Sequence, residues 1–345
     1  MTQPPRPEPA NGFGPGRGIG KPQAPAPEPL PAAAFDAHCH LDMIDMAVAD
    51  TLAHAAAAGI TRVVTVGVDV PSSRWSAECA AAFPAVSAAV AIHPNETTAA
   101  ATTAAGREAA LADIARLASL PQVRAVGETG LDYYWHDAPP QLQRDLFRAH
   151  IDIAKQVGKP LMIHDRDAHA DVLTTLAADG PPDQVIFHCY SGDAEMAQRC
   201  AEAGYVLSFA GTVTFANAGA LREAAAVTPP ELILAETDAP YLTPVPSRGR
   251  SNAPAQVAHT VRALAAVKQL DVAKFCAILA ATGERVFGFS AAVGPGEQRS
   301  EQQQGERQHG EPLHGQRQQG ERQQGERQQG ERQQGEWQHG EPWLA

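Results

Sequence analysis

The chain has 345 residues and carries 39 acidic against 27 basic side chains, a formal net charge of −12 at neutral pH. That balance disfavours a broad electrostatic grip on a nucleic-acid duplex, but bound cations can invert the potential locally and admit a phosphate substrate. The absence of any apolar run of about 18 residues predicts no membrane span, and no apolar segment follows the N-terminal charges as in a secretory signal.

Residues 1–33 are dominated by Pro, Gly and Ala, a composition that favours solvated, extended backbone, so a disordered segment is expected there. From residue 34 to 289 an alternation repeats eight times. Strand-like apolar runs are read at Ala34–Cys39, Arg62–Val68, Val86–Ile92, Val123–Glu128, Pro160–His164, Gln184–His188, Tyr205–Phe209 and Leu232–Glu236. Helix-like stretches fall between them at Ala47–Ala58, Trp75–Phe83, Arg107–Leu120, Gln141–Val157, Ala168–Ala178, Glu195–Ala203 and Ala218–Ala226. A final pair, Ala255–Lys268 and Val272–Phe287, closes the domain. Continuous apolar strands alternating with amphipathic helices predict parallel strands buried on both faces. Eight such units predict an α/β fold of the (β/α)8 TIM-barrel type. No Gly-x-Gly-x-x-Gly follows the first strand, which argues against a dinucleotide-binding sheet. Residues 290–345 carry a Gly-Glu-Arg-Gln-Gln pentad, clearest from Gly320 to Gln334. A period of five matches neither helix nor strand, so this tail is also expected to be disordered. Five widely spaced cysteines, Cys39, Cys79, Cys189, Cys200 and Cys276, form no Cys-x-x-Cys pair and fit free thiols of a reducing, cytoplasmic compartment.

Five of the strand-like runs end at or beside a side chain that can hold a metal: His38 and His40, Glu128, His164, His188 and Asp238. A parallel barrel brings its strand ends to one rim, so these six groups are expected to converge around one or two cations. Positions i and i+2 of a strand share a face, so His38 and His40 in FDAHCHLD project together. Each group also has a simpler explanation. A histidine on an apolar run can be a hydrogen-bonded core residue, Glu128 can form a core salt bridge, and Asp238 before Ala239-Pro240 can cap a turn. The joint pattern favours the metal. Arg166, two residues beyond His164, is a candidate phosphate contact because a guanidinium forks onto two phosphate oxygens. His93 after the third strand, and Arg248 and Arg250 after the eighth, are further substrate-binding candidates; Tyr133 and Tyr134 can stack on an unpaired base or simply pack over the rim.

The motifs DAHCHLD, GETGLDYY, PLMIHDR, FHCYSG and ETDAPYLTP, with AIHP around His93, resemble the TatD family of metal-dependent hydrolases over residues 35–289. The resemblance implies a TIM barrel with two divalent cations (Zn, Mg or Mn) and deoxyribonuclease activity, including 3′→5′ exonuclease action. It implies that His38, His40, Glu128 and Asp238 hold one metal, and that Glu128, His164 and His188 hold the second. Glu128 stands where many other binuclear barrel hydrolases carry a carboxylated lysine. After the eighth strand the chain reads Arg250-Ser251-Asn252-Ala253-Pro254 where many members read Arg-Asn-Glu-Pro, a change in the substrate-facing loop. The expected chemistry is attack by a metal-activated water, with Asp238 as general base, on a phosphodiester of single-stranded DNA ends. The alternatives are ester or amide hydrolysis, such as removal of an amino acid from tRNA, and a non-catalytic scaffold; no obligate protein partner is evident.

Overall fold

The computed structural model describes residues 21–97, 103–135 and 138–289. Eight strands, β1 Ala34–Cys39, β2 Ile60–Val66, β3 Val86–Val90, β4 Val123–Asp132, β5 Leu161–Arg166, β6 Val185–Phe187, β7 Val206–Phe209 and β8 Ile233–Ala235, form one sheet in sequence order. Every neighbouring pair is parallel. β1 and β8 meet through a bridge between Cys39 and Ala239. The result is the (β/α)8 TIM barrel that the alternation predicts. Among the described residues the helices are α1 Val48–Ala57, α2 Val70–Ala82, α3 Ala104–Ala118, α4 Pro140–Val157, α5 His169–Asp179, α6 Ala194–Glu202, α7 Gly219–Val227, α8 Val257–Val267 and α9 Val272–Phe287.

The elements follow from local chemistry. The strands β3 and β7 are buried along their whole length, as expected for strands covered on one side by helices and filling the barrel on the other. Helix α4 buries Leu146, Phe147, His150, Ile151 and Ala154 as one stripe, and stops at Gly158, whose φ of +62° suits a residue without Cβ. Helix α2 starts five residues before the expected Trp75. Its first turn, Val70-Pro71-Ser72-Ser73, shows no helical apolar period, but Asp69 and Ser72 form a reciprocal capping box that fixes the start.

Two ladder features bear on function. β4 runs past Glu128 to Asp132 and β5 past His164 to Arg166, so these groups lie inside strands rather than at their ends. Ladder register shifts between Asp36 and Cys39 and again between Val126 and Thr129, bracketing His38 and Glu128. Such irregularities re-aim side chains that a regular pleat would point elsewhere.

Of the segment expected to be disordered at residues 1–33, residues 21–33 are placed against the barrel. They lie along it as a strap, while residues 1–20, and the tail expected at 290–345, fall outside the described residues. Ser251 N–H donates to Pro22 O at 3.1 Å, Gln256 Nε2 to Pro25 O at 2.9 Å, and Arg262 Nη2 to Glu28 O at 2.8 Å. Leu30 is buried, and its N–H donates to Ala58 O at 3.0 Å. Proline removes N–H donors but leaves every carbonyl, so side chains of the barrel can hold a strap that forms no ladder of its own.

Candidate metal centre

All six groups singled out in the sequence meet at one rim of the barrel. Glu128 is the hub, and its two oxygens face different partners. Oε1 lies 3.6 Å from His38 Nε2 and 3.4 Å from His40 Nε2. Oε2 lies 3.3 Å from His164 Nδ1 and 2.8 Å from His188 Nε2. Asp238 Oδ1 completes the first set, 3.6 Å from His38 Nε2 and 3.5 Å from His40 Nε2. His38 and His40 bring their Nε2 atoms to 3.3 Å of each other, as their shared strand face predicts. His38 and His188 stack at 3.9 Å between ring centroids, across the seam of the two sets.

The outer ring nitrogens decide the tautomers. His40 Nδ1 faces Val66 O at 3.0 Å, and His188 Nδ1 faces Glu236 Oε1 at 3.1 Å. His164 Nε2 faces Asp132 Oδ2 at 3.0 Å, and His38 Nδ1 faces the Met162 thioether at 3.2 Å. All four partners are acceptors, so each outer nitrogen carries a proton and each inner nitrogen faces the centre, as an N–H where the ring is protonated and as a lone pair where it is neutral. Four inner ring nitrogens and two carboxylates therefore converge on the same space, and the carboxylates call for positive charge between them. This donor set fits divalent cations. Three triplets of donor atoms lie within 4.8 Å of one another: His38, His40 and Asp238; His38, Glu128 and His188; His93, Glu128 and His164.

The titration behaviour registers the same demand. Burial opposes charge on Glu128, yet His188 and His38 beside it hold its pKa well below 4.5. Burial likewise opposes charge on His188, and the Glu128 and Glu236 carboxylates outweigh it to hold the imidazole well above 6.5. His40 is raised to about 9 against burial by its bond to Asp238 and by Glu128. His38 moves down instead, through burial and its stacked neighbour His188.

His93 differs from the other four histidines. Its Nδ1 accepts from Asn95 N–H at 3.1 Å, so Nε2 carries the proton and points it toward the centre, 3.8 Å from Glu128 Oε2. A protonated Nε2 is a hydrogen-bond donor rather than a ligand. Burial and the neighbouring His164 hold its pKa down to about 3, so the ring is neutral. His164, Asp238 and His93, with side-chain exposures of 17, 14 and 13%, form the open edge, whereas His38, His40, Glu128 and His188 show 4% or less.

Glycines make room for the hub. A Cβ at Gly127 would overlap Met162, and one at Gly130, where φ is +145°, would overlap the His164 carbonyl. The Gly-Glu-Thr-Gly text thus lets β4 press against β5 on both sides of Glu128.

Three supporting carboxylates, Glu236, Asp132 and Asp36, carry no signal of their own in the sequence pattern. Glu236 accepts from Cys189 N–H at 2.7 Å and from Ser208 Oγ at 2.5 Å as well as from His188. Asp132 holds His164 and also accepts from Asn95 Nδ2, Tyr134 N–H and Trp135 N–H. Asp36 is fully buried between β1 and the segment after β8. Each sits within four residues of a ligand in the same motif, an acid in apolar text that needs a buried partner.

The substrate candidates divide. Arg166 is half-buried with its guanidinium 4.0 Å above the Tyr134 ring, and Tyr134 in turn packs edge-on against Trp135. Tyr133 is tied down by Asp171 at 2.6 Å and Arg144 at 2.9 Å, so it packs rather than stacks. Arg250 is exposed and donates to Gln23 O of the strap at 3.4 Å, while Arg248 lies 3.8 Å over the Phe215 ring.

This geometry agrees with what the chain is similar to. A family model described as "TatD related DNase" matches residues 35–288. The chain belongs to the TatD family. TatD of Mycobacterium tuberculosis, by its description an uncharacterised metal-dependent hydrolase, is 48% identical over 262 residues, covering 73% of this chain and 97% of the relative. YabD of Bacillus subtilis, described in the same terms, is 35% identical and covers 73% and 98%. The crystal structure of the TatD homologue YJJV from Escherichia coli superposes with a TM-score of 0.69 at 24% identity, over 74% of this chain and 98% of that one, and shares the fold. This TatD protein is therefore a metal-dependent hydrolase on a TIM barrel. The strap at residues 21–33 precedes the family match.

Proposed function

We propose that this TatD protein hydrolyses phosphodiester bonds in DNA, acting on single-stranded ends as a 3′→5′ exonuclease, with two divalent cations (Zn, Mg or Mn). The observation that carries the two-cation reading is the divided Glu128, one oxygen toward His38 and His40 and the other toward His164 and His188. Glu128, His38, His40 and Asp238 would hold one ion and Glu128, His164 and His188 the other. Bound there, such ions acidify water and neutralise charge on a phosphoryl group.

The chain's own residues supply the rest. Asp238, on the open edge and kept ionised by His40 and His38 against its burial, takes the proton of the attacking water at its carboxylate. His93, on the same open edge, presents its Nε2–H to a phosphate or leaving-group oxygen. Arg166 forks onto a neighbouring phosphate, its guanidinium pre-set by the Tyr134 ring. Arg250, held by the strap, is a more distant phosphate contact. The acidic chain has little to grip a duplex with, which favours frayed or single strands. The description of the family model as a DNase supports the choice of substrate. No helix among the described residues is long and apolar enough to cross a membrane, and all five cysteines are free thiols, which suits a reducing cytoplasm.

The test is end-labelled single-stranded and duplex DNA incubated with purified protein and Mg²⁺, Mn²⁺ or Zn²⁺, with E128A as control. Stepwise shortening from the 3′ end, absent in E128A, is the expected result. Metal-loaded protein that leaves DNA intact but hydrolyses a carboxylic ester or an aminoacyl-tRNA would overturn the substrate assignment.

A further inference from the structure

We propose that Asp36 and Thr237 are positioning residues that set one half of the centre, His38, His40 and Asp238, independently of the other half. The proposal rests on the two-cation reading above. The relevant feature is the barrel seam. β8 stops at Ala235, three residues before Asp238, and the β1 ladder is irregular between Asp36 and Cys39. No continuous ladder therefore fixes Asp238 against the two histidines. Two backbone bonds cross there, Asp238 N–H to His38 O at 2.9 Å and His40 N–H to Ala239 O at 2.8 Å.

The rest of the seam is side chain. Asp36 Oδ1 accepts from Thr237 N–H at 2.8 Å and from its own strand's His38 N–H at 3.3 Å. Asp36 Oδ2 accepts from Thr237 Oγ1 at 2.5 Å. Thr237 Oγ1 then accepts from Ala239 N–H at 3.1 Å, on the far side of Asp238. Asp36 and Thr237 are both buried, at 0% and 1% exposure, so water cannot replace a lost partner. One carboxylate thus grips the backbone N–H of His38 itself and the residue immediately before Asp238. Asp238 itself sits at φ +54°, a backbone region that needs local support in a residue with a Cβ.

The Glu128, His164 and His188 half does not use the Asp36–Thr237 pairing: its ladder shifts register around Glu128 and then resumes, and it reaches the segment after β8 only through Glu236. The β4–β5 ladder is regular from Thr129 to Asp132, and His188 N–H bonds Ile163 O at 3.0 Å. Its imidazoles are oriented by Asp132 and Glu236. Loss of the seam pairing is therefore expected to loosen one ion and spare the other.

The experiment titrates metal-stripped full-length protein with Zn²⁺ or Mn²⁺ and reads two affinities per chain, by calorimetry with elemental analysis of the loaded protein. In D36N and T237V one affinity is expected to fall about 10–100-fold, the usual size of a lost outer-shell contact. The affected ion should be the one lost in D238N, and the second affinity should stay within about threefold of wild type. T237S keeps the hydroxyl and should hold both affinities within about threefold. Circular dichroism melts of the metal-free proteins report folding separately, and T237V stands in if D36N fails to fold. Folded variants with both affinities unchanged, or both reduced alike, would overturn the proposal. A wild-type chain binding a single ion would overturn the two-cation reading instead; a tenfold loss of that ion in T237V would still support the seam assignment, and no loss would end it.

Discussion

The two halves of the candidate metal centre are built differently. Glu128 and His164 stand on the adjacent strands β4 and β5 and His188 just past the end of β6, in the middle of the sheet, and two carboxylates, Asp132 and Glu236, lock the imidazole tautomers. His38, His40 and Asp238 stand at the place where the first and last strands meet, where side chains do the work that ladder bonds do elsewhere. A closed barrel must join two strands remote in sequence, and this chain uses that join as half of its site. The lesson is that the seam side should be the softer half, tuned by a few hydrogen bonds, and the ladder side the stiffer one.

The hub shared by both halves gives the largest effect. E128A removes the one group that faces both sets, so both ions should be lost and hydrolysis should fall roughly 10³-fold, as expected when several kcal/mol of charge stabilisation disappear. Elemental analysis and initial rates check it. Retention of one full ion would mean that the halves are independent of Glu128.

The open edge of the site at His93 rests on His150. Its Nε2 accepts from Ile92 N–H at 3.1 Å, and its Nδ1 donates to Leu146 O at 2.7 Å. Burial holds His150 neutral, with its pKa lowered to about 4. The folded-state pKa lies below the unfolded value, so between pH 6.5 and about 4 the unfolded chain takes up a proton that the native chain refuses. The contribution of neutral His150 is complete above pH 6.5 and is lost as pH falls through that window. Denaturant unfolding of metal-stripped wild type should lose on the order of 3 kcal/mol more than H150Q between pH 7 and pH 4. Parallel pH profiles would contradict the assignment.

On the ladder side, E236Q removes one of the oxygens that serve His188, Cys189 and Ser208. It should weaken one ion about 10–100-fold, and the ion affected should be the one that D36N spares. The two variants losing the same ion would erase the contrast between the halves. Away from the centre, L30A in the strap should cost about 2 kcal/mol of stability, near the low end for a buried leucine, with both metal affinities unchanged. Smallest of all, removing residues 290–345, which lie beyond the family match, should leave hydrolysis within about twofold of wild type, since such repeats cannot build a core. A large loss would assign the tail a part in folding or catalysis.

Much of this was legible in the sequence because the barrel puts its chemistry on period and position. The alternating apolar runs gave the strand order, and His38, His40, Glu128, His164, His188 and Asp238 are all brought together. What periodicity could not carry was the irregular geometry. The expected end of the fourth strand at Glu128 and the observed end at Asp132 differ because the ladder shifts register there and then resumes. The buried acids Asp36, Asp132 and Glu236 were hidden because they act through hydrogen bonds to residues up to 201 positions away. The direction of His93 depended on a single backbone N–H two residues on. The strap was missed because its proline-rich text has no pattern of its own; its order comes from barrel donors such as Arg262 and Gln256.

The central claim is that Glu128 joins two cation sites, one oxygen to each. Anomalous diffraction from crystals of the Zn²⁺- or Mn²⁺-loaded protein tests it most directly. The account predicts two peaks per chain, one against His38, His40 and Asp238, the other against His164 and His188, with Glu128 bonded to both. A single peak, or two peaks of which one leaves Glu128 unbound, would contradict it.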